Sequence, residues 1–110
     1  MSTSLSTLVP ELLDEARAHS SGRAARTVRG HTEHRLRHTV IALTSGSVLA
    51  DHESPDEATL LVLAGRVRLT DATGGGDGWT GCAGDLTDIP PVRHGLTAEE
   101  DSAVLLTVRL

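Results

Sequence analysis

The chemistry open to this chain rests on six histidines, fifteen carboxylates, ten basic residues that are all arginine, Ser and Thr hydroxyls, and one thiol, Cys82. Imidazole is the most versatile of these: it ligates transition metals when neutral and moves protons near pH 7. Without lysine there is no Schiff-base amine, and without tyrosine no phenolic acid. Trp79 is the only aromatic side chain, too little for a sugar-stacking platform or for single-stranded nucleic acid. His31-Thr32-Glu33-His34 has the His-x-x-His spacing of some metal sites, but no helix is expected there and no cysteine accompanies it, so two solvated imidazoles are the plainer reading. Cys82 lies between Gly81 and Ala83-Gly84 with no cation beside it to favour the thiolate, and reads as a small strand-end residue.

The remaining bulk features narrow the class. A chain of 110 residues makes one domain, with an expected division into an N-terminal helix and turn over 1–22 and a β-barrel over 23–110. One cysteine cannot form an intramolecular disulfide, no signal peptide opens the sequence, and no apolar run spans a bilayer, so the expected setting is cytoplasmic and away from the membrane. Lys, Asn, Tyr and Phe, which have A/T-rich codons, are all absent, as a high-GC coding sequence explains. The net charge of −5 is lopsided: residues 1–50 hold six arginines against four acids, residues 51–110 four against eleven. An acidic domain repels phosphate, so no nucleic-acid partner is expected.

Elements that could position the histidines follow from periodicity. Leu5, Leu8, Val9, Leu12, Leu13 and Ala16 recur at helical spacing. Ser6 or Thr7 is the expected cap, Pro10 falls in the first turn, and Ser20-Ser21-Gly22 ends the helix near His19, whose imidazole can complement the helix dipole. That helix should pack on the outside of the domain or on a neighbouring subunit. Residues 36–43 read as a strand apolar on both faces, which requires a second layer over the sheet. Short strands follow at 58–64, 66–70, 79–82, 86–89, 95–97 and 103–109, separated by Gly/Pro turns and a glycine-rich loop at 74–78. This pattern is all-β, a sandwich or closed barrel with one helix in front.

Two segments then carry a family resemblance. Gly46-Ser-Val-Leu-Ala-Asp-His52-Glu-Ser54-Pro-Asp-Glu57-Ala58 with Leu61-Val-Leu-Ala-Gly65 resembles the first cupin motif: Gly, five residues, His-x-His, three or four residues, Glu, six residues, Gly. Gly84-Asp-Leu-Thr-Asp-Ile-Pro90-Pro-Val92-Arg-His94 resembles the second: Gly, five residues, Pro-x-Gly, two residues, His. The resemblance covers residues 35–110 and implies an all-β, cupin-type jelly-roll β-barrel, RmlC-like, commonly paired into dimers; a second subunit would then cover the strand around Ile41. Catalytic members hold a metal on two His and a Glu of the first motif and one His of the second. Here His52 and His94 match. Ser54 stands at the second His, Ala58 at the Glu, and Val92 at the glycine, with one residue missing before His94. The motifs are degenerate at ligand positions.

The expected ligand pocket is therefore His52, Ser54, Ala58, His94 and His38. A metal site would rest on His52 and His94 with a non-standard third ligand, His38 from a neighbouring strand or Glu57, with Glu53 a further candidate after a register change. Strand alternation turns Glu57 outward if Ala58 faces inward, unless a β-bulge intervenes. Two functions compete. One is a homodimeric, non-catalytic module that binds a small organic molecule in the barrel or serves as an interaction domain, with no cofactor. The other is a metal-dependent oxygenase or isomerase using a divalent Zn, Fe, Ni or Mn ion. A cupin sensor of transcription would need a helix-turn-helix that one helix cannot supply.

Overall fold

The computed structural model describes residues 2–52, 57–71, 78–90 and 94–110. Helix α1 spans Leu5–Ala18 and buries Leu8, Leu12 and Ala16, spaced four apart on one face. It starts earlier than its side-chain caps suggest. Ser4 is the cap residue, its carbonyl accepting the Leu8 amide at 3.0 Å, while its hydroxyl turns to Ser6 and Thr7 instead of the backbone. Pro10 consequently sits in the second turn, where its missing N–H removes one helical hydrogen bond on an exposed face. Among the described residues no helix is long and apolar enough to cross a membrane.

Among the described residues nine strands follow: β1 Arg23–Arg29, β2 Leu36–Leu43, β3 Val48–His52, β4 Glu57–Ala64, β5 Arg66–Asp71, β6 Trp79–Cys82, β7 Leu86–Asp88, β8 His94–Ala98 and β9 Ser102–Arg109. One sheet runs β1-β2-β9-β4-β7 and the other β3-β8-β5-β6, all neighbours antiparallel. The last strand lies between the second and the fourth, and the eighth between the third and the fifth. That interleaving of early and late strands is the jelly roll.

Alternation along β2, β4 and β9 sends one set of side chains between the sheets and the other set outward. Leu43, Leu60, Val62 and Val104 meet Val67, Leu69, Leu96 and Ala98 of the second sheet in the main core, with Ile41, Ala58 and Leu106 packed against it. Val40 and Ala42 point the other way and meet Leu8, Leu12 and Ala16 of α1. The second layer required by the two-faced strand is thus this chain's own helix. The outer cover expected from a second subunit is not needed there, and Ile41, around which it was placed, faces the interior.

Two local features hold the geometry. A β-bulge between Val62 and Ala64 shifts the β4–β9 register and leaves Leu63 packed toward the helix layer. Asp101 ties three segments together: its carboxylate accepts the Ser45 amide at 2.9 Å and the Arg17 guanidinium at 3.0 Å. The Ser45 amide first, and then Arg17, hold its carboxyl below the ordinary carboxylate range.

The turn from β4 into β5 depends on Gly65, whose φ is +77°. A Cβ there would fall inside contact distance of the Asp101 carbonyl and of Ser102. Ser102 is itself fully buried, its Oγ accepting the Arg66 amide at 2.9 Å and lying 2.7 Å from the Glu100 carbonyl that its hydroxyl can reach. Left-handed backbone and crowding act together, so Gly65→Ala is expected to lower unfolding free energy by about 2–3 kcal/mol in urea denaturation. A loss below about 0.5 kcal/mol, the range of an ordinary surface change, would contradict this account of the turn.

Candidate functional site

The site histidines arrive on β3 and β8, which pair antiparallel with His52 directly opposite His94 after a register shift beyond Leu49. His94 is 3% exposed. It lines a cavity of about 30 Å³ otherwise walled by aliphatic side chains, among them Ile41, Leu49, Leu60, Leu69, Leu96 and Leu106. A void of this size holds a water molecule or two, far below the several hundred Å³ of an organic-ligand pocket.

The other candidates do not converge on His94. Ala58 is directed inward, and its carbonyl accepts the Ile89 amide at 2.9 Å, tying β4 to the segment after β7. Glu57, the preceding residue, is turned outward and exposed, with Arg109 3.5 Å from its carboxylate. The bulge that could have reversed it exists, but at Leu63. The register from Glu57 to Val62 is unbroken, so the alternation keeps Glu57 out. His38 shares the outer face with Val40 and Ala42, because β2 pairs with β9 in unbroken register from Leu36 to Leu43. Its Nδ1 lies 3.0 Å from Thr107 Oγ1 on that face. The expectation that His38 or Glu57 supplies a third inward ligand is corrected by this parity. Ser54, Glu53 and Val92 lie outside the described residues.

A catalytic transition metal needs about three protein donors around one point. Among the described residues no group of three His, Cys, Asp or Glu side chains is arranged to hold an ion. The His-x-x-His of the β1–β2 turn does not replace them. His34 donates its amide to the His31 carbonyl at 2.9 Å, and its Nδ1 accepts the His31 amide at 3.1 Å. The ring centroids are 5.3 Å apart. The Nδ1 lone pair is spent on the turn, so in the neutral ring Nε2 carries the proton and neither nitrogen is open to a metal. Cys82 ends β6, exposed, where its amide is held by the Asp85 carboxylate at 2.8 Å.

No protein-family model and no curated protein matches the chain. Its folded shape does find relatives. A protein of unknown function from Streptococcus pyogenes superposes with a TM-score of 0.69 at 25% identity, over 83% of this chain and 76% of that one. An RmlC-like cupin from Desulfovibrio desulfuricans gives 0.67 at 20% identity, over 79% and 81%. The chain has the cupin fold. A salicylate 1,2-dioxygenase from Pseudoaminobacter salicylatoxidans also superposes, at 0.75 and 18% identity, over 92% of this chain but only 33% of that enzyme. At such identities the likeness concerns the fold alone.

With the cupin frame in place, the donor set can be judged. Ala58 occupies the inward position at which the first cupin motif carries its glutamate, and a methyl group donates nothing. The residues described here do not fit a cupin metal centre.

The β1–β2 turn makes a pH-dependent prediction. Desolvation first, then the positive charge of Arg29, then His31, keep the His34 imidazole below its ordinary value. Neutral His34 accepts the His31 amide, whereas the protonated ring cannot. The unfolded chain therefore binds the proton more readily than the folded one, and the contribution of His34 to stability falls as pH drops from the ordinary imidazole value, about 6.5, to the lower folded value. In an NMR titration the His34 midpoint should lie below that of the same residue in urea. A midpoint equal to or above it would show that the turn does not depend on the bare Nδ1.

Proposed function

We propose that this cupin is a non-catalytic, homodimeric interaction module of the cytoplasm, whose barrel interior serves as a packed core. The observation that carries this reading is the inward face around His94: aliphatic walls, a void of about 30 Å³, and Ala58 where a ligating carboxylate would have to stand. The interior is too small to favour a small organic ligand over a filled core. The unpaired, exposed thiol of Cys82 supports a reducing compartment, and the net charge of −5 supports partners other than nucleic acid.

The alternative, a metal-dependent oxygenase or isomerase, keeps one point in its favour: His52 and His94 occupy paired positions on β3 and β8. Two imidazoles leave such a centre at least one donor short. Elemental analysis of native-purified protein, with Zn, Ni and Fe titrations at pH 7.5, separates the two readings. The expected content is well below one metal per chain, with no uptake at micromolar concentration. The double substitution Ser54→His and Ala58→Glu, which restores both ligand types of the first motif, is expected to create metal affinity that the parent lacks. A parent that carries about one transition metal per chain would overturn the non-catalytic reading, and a folded double variant that still binds nothing would show that donor chemistry is not what the parent lacks.

A further inference from the structure

Among the described residues, five strands of one sheet face four of the other, so the sheets are unequal in width. Arg23 and Ala25 of the edge strand β1 pair with Leu43 and Ile41, whose side chains belong to the core. They therefore share the inner face of the sheet. Ala25 is nonetheless exposed, because the inner face of β1 overhangs the smaller sheet. Between this overhang and β3 runs an open groove of about 440 Å³. Ala25, Ile41 and Leu49 give it an apolar side, and His19, Ser21 and Arg23 a polar one. Ile41 and Leu49 also wall the small cavity beside His94, so the groove follows the outside of the same core.

The polar side offers donors and one fixed positive charge. Arg26, on the opposite face of β1, is met by Glu11 and Glu15. Arg23 instead donates Nη1 to the Val48 carbonyl at 2.8 Å, a neutral acceptor on β3. Among the described residues no carboxylate pairs with Arg23, and no Asp or Glu lines the groove. Its Nε and Nη2 form the other edge of the guanidinium, a fork that matches a carboxylate through two parallel hydrogen bonds. Ser21 Oγ accepts the Arg23 amide at 3.4 Å, which leaves the hydroxyl proton to donate. The turn that carries His19 and Ser21 is braced: the Gly22 carbonyl accepts the Thr44 amide at 2.9 Å and the Thr44 hydroxyl at 3.2 Å. These donors are held in place in advance of any ligand. The groove beside Arg35 and Arg109 differs, since Glu57 lines it and stands 3.5 Å from Arg109.

We propose that the β1–β3 groove binds a small amphiphilic monocarboxylate, its head on Arg23, Ser21 and His19 and its hydrocarbon part over Ala25, Ile41 and Leu49. Charge selects the head group. A chain of net charge −5 repels anions in general, and this groove sets an arginine that no described acid neutralises beside apolar side chains. One fixed cation suits one carboxylate on an apolar body. The groove also has the several hundred Å³ of an organic-ligand site, which the cavity beside His94 lacks. The site lies outside the packed core, so it goes beyond the interaction-module reading and does not depend on it.

Octanoate, titrated into the full chain by calorimetry and NMR below its micelle-forming concentration, tests the proposal. Saturable one-to-one binding in the millimolar range or tighter is expected, with shifts at the Ile41 and Leu49 methyls and the Arg23 amide. Each methylene from hexanoate to octanoate should tighten binding about two- to fourfold. Arg23→Gln, which keeps a donor for the Val48 carbonyl, should weaken it at least about fivefold. Ala25→Glu, at an exposed position, should abolish it by placing a carboxylate in the groove, while Arg26→Gln should leave it unchanged. Octanoate that does not saturate overturns the proposal. So does an affinity indifferent to Arg23→Gln and Ala25→Glu, or one that falls as far with Arg26→Gln, or shifts centred on Thr107 and Arg109.

Discussion

Strand β9 is paired on both sides, with β2 along its whole length from Leu36↔Arg109 to Leu43↔Ser102 and with β4 from Glu57↔Arg109 to Ala64↔Ala103. Because side chains alternate, this double pairing fixes the inward or outward parity of all three strands together. Changing the parity of β4 would require breaking its ladder with β9, and with it the inward placement of Leu60 and Val62. The chemistry of the domain follows from this constraint. The same register that puts Val104 and Leu106 into the core puts Ala58 there too, and sends His38 and Glu57 out.

The interior then behaves as a core. A carboxylate placed between these sheets would need a cation or several donors to offset desolvation. Alanine at position 58 avoids that cost and extends the apolar layer, at the expense of a ligating group. His94 remains as a polar residue among aliphatic ones, and no buried side-chain nitrogen or oxygen among the described residues lacks a hydrogen-bond partner. The cavity beside it has room for a water molecule or two.

The sequence exposed the fold more readily than the site, for reasons tied to particular residues. Two cupin motifs in order, and β-period alternation in 66–70 and 103–109, marked the jelly roll because turn glycines and strand faces are local properties. The two-faced apolar pattern of 36–43 correctly demanded a covering layer, but periodicity cannot say which element supplies it; α1 and a second subunit were equally compatible. The inward or outward sense of His38 depended on long-range register with β9, which no window along the chain contains. The bulge at Leu63 left a trace, since Leu60 to Leu63 is a continuous apolar run where a half-buried strand would alternate, yet the run does not say where the extra residue falls. The helix start was misplaced because three hydroxyl residues, Ser4, Ser6 and Thr7, compete for the cap, and the backbone bond from Leu8 to Ser4 decides among them.

Within the cupin fold, the two faces of this chain's larger sheet differ in what they leave exposed. Inside, no buried polar side-chain atom among the described residues lacks a hydrogen-bond partner, and the cavity beside His94 is about 30 Å³. Outside, a helix with a second apolar stripe stands beside two strands whose outer face includes an exposed Leu86. Apolar surface left in water costs on the order of 25 cal/mol per Å², and that cost is recovered only through contact with another surface. The parity imposed by β9 acts on both faces of β2 and β4 at once, since each residue it withdraws from the interior it delivers to the outer face.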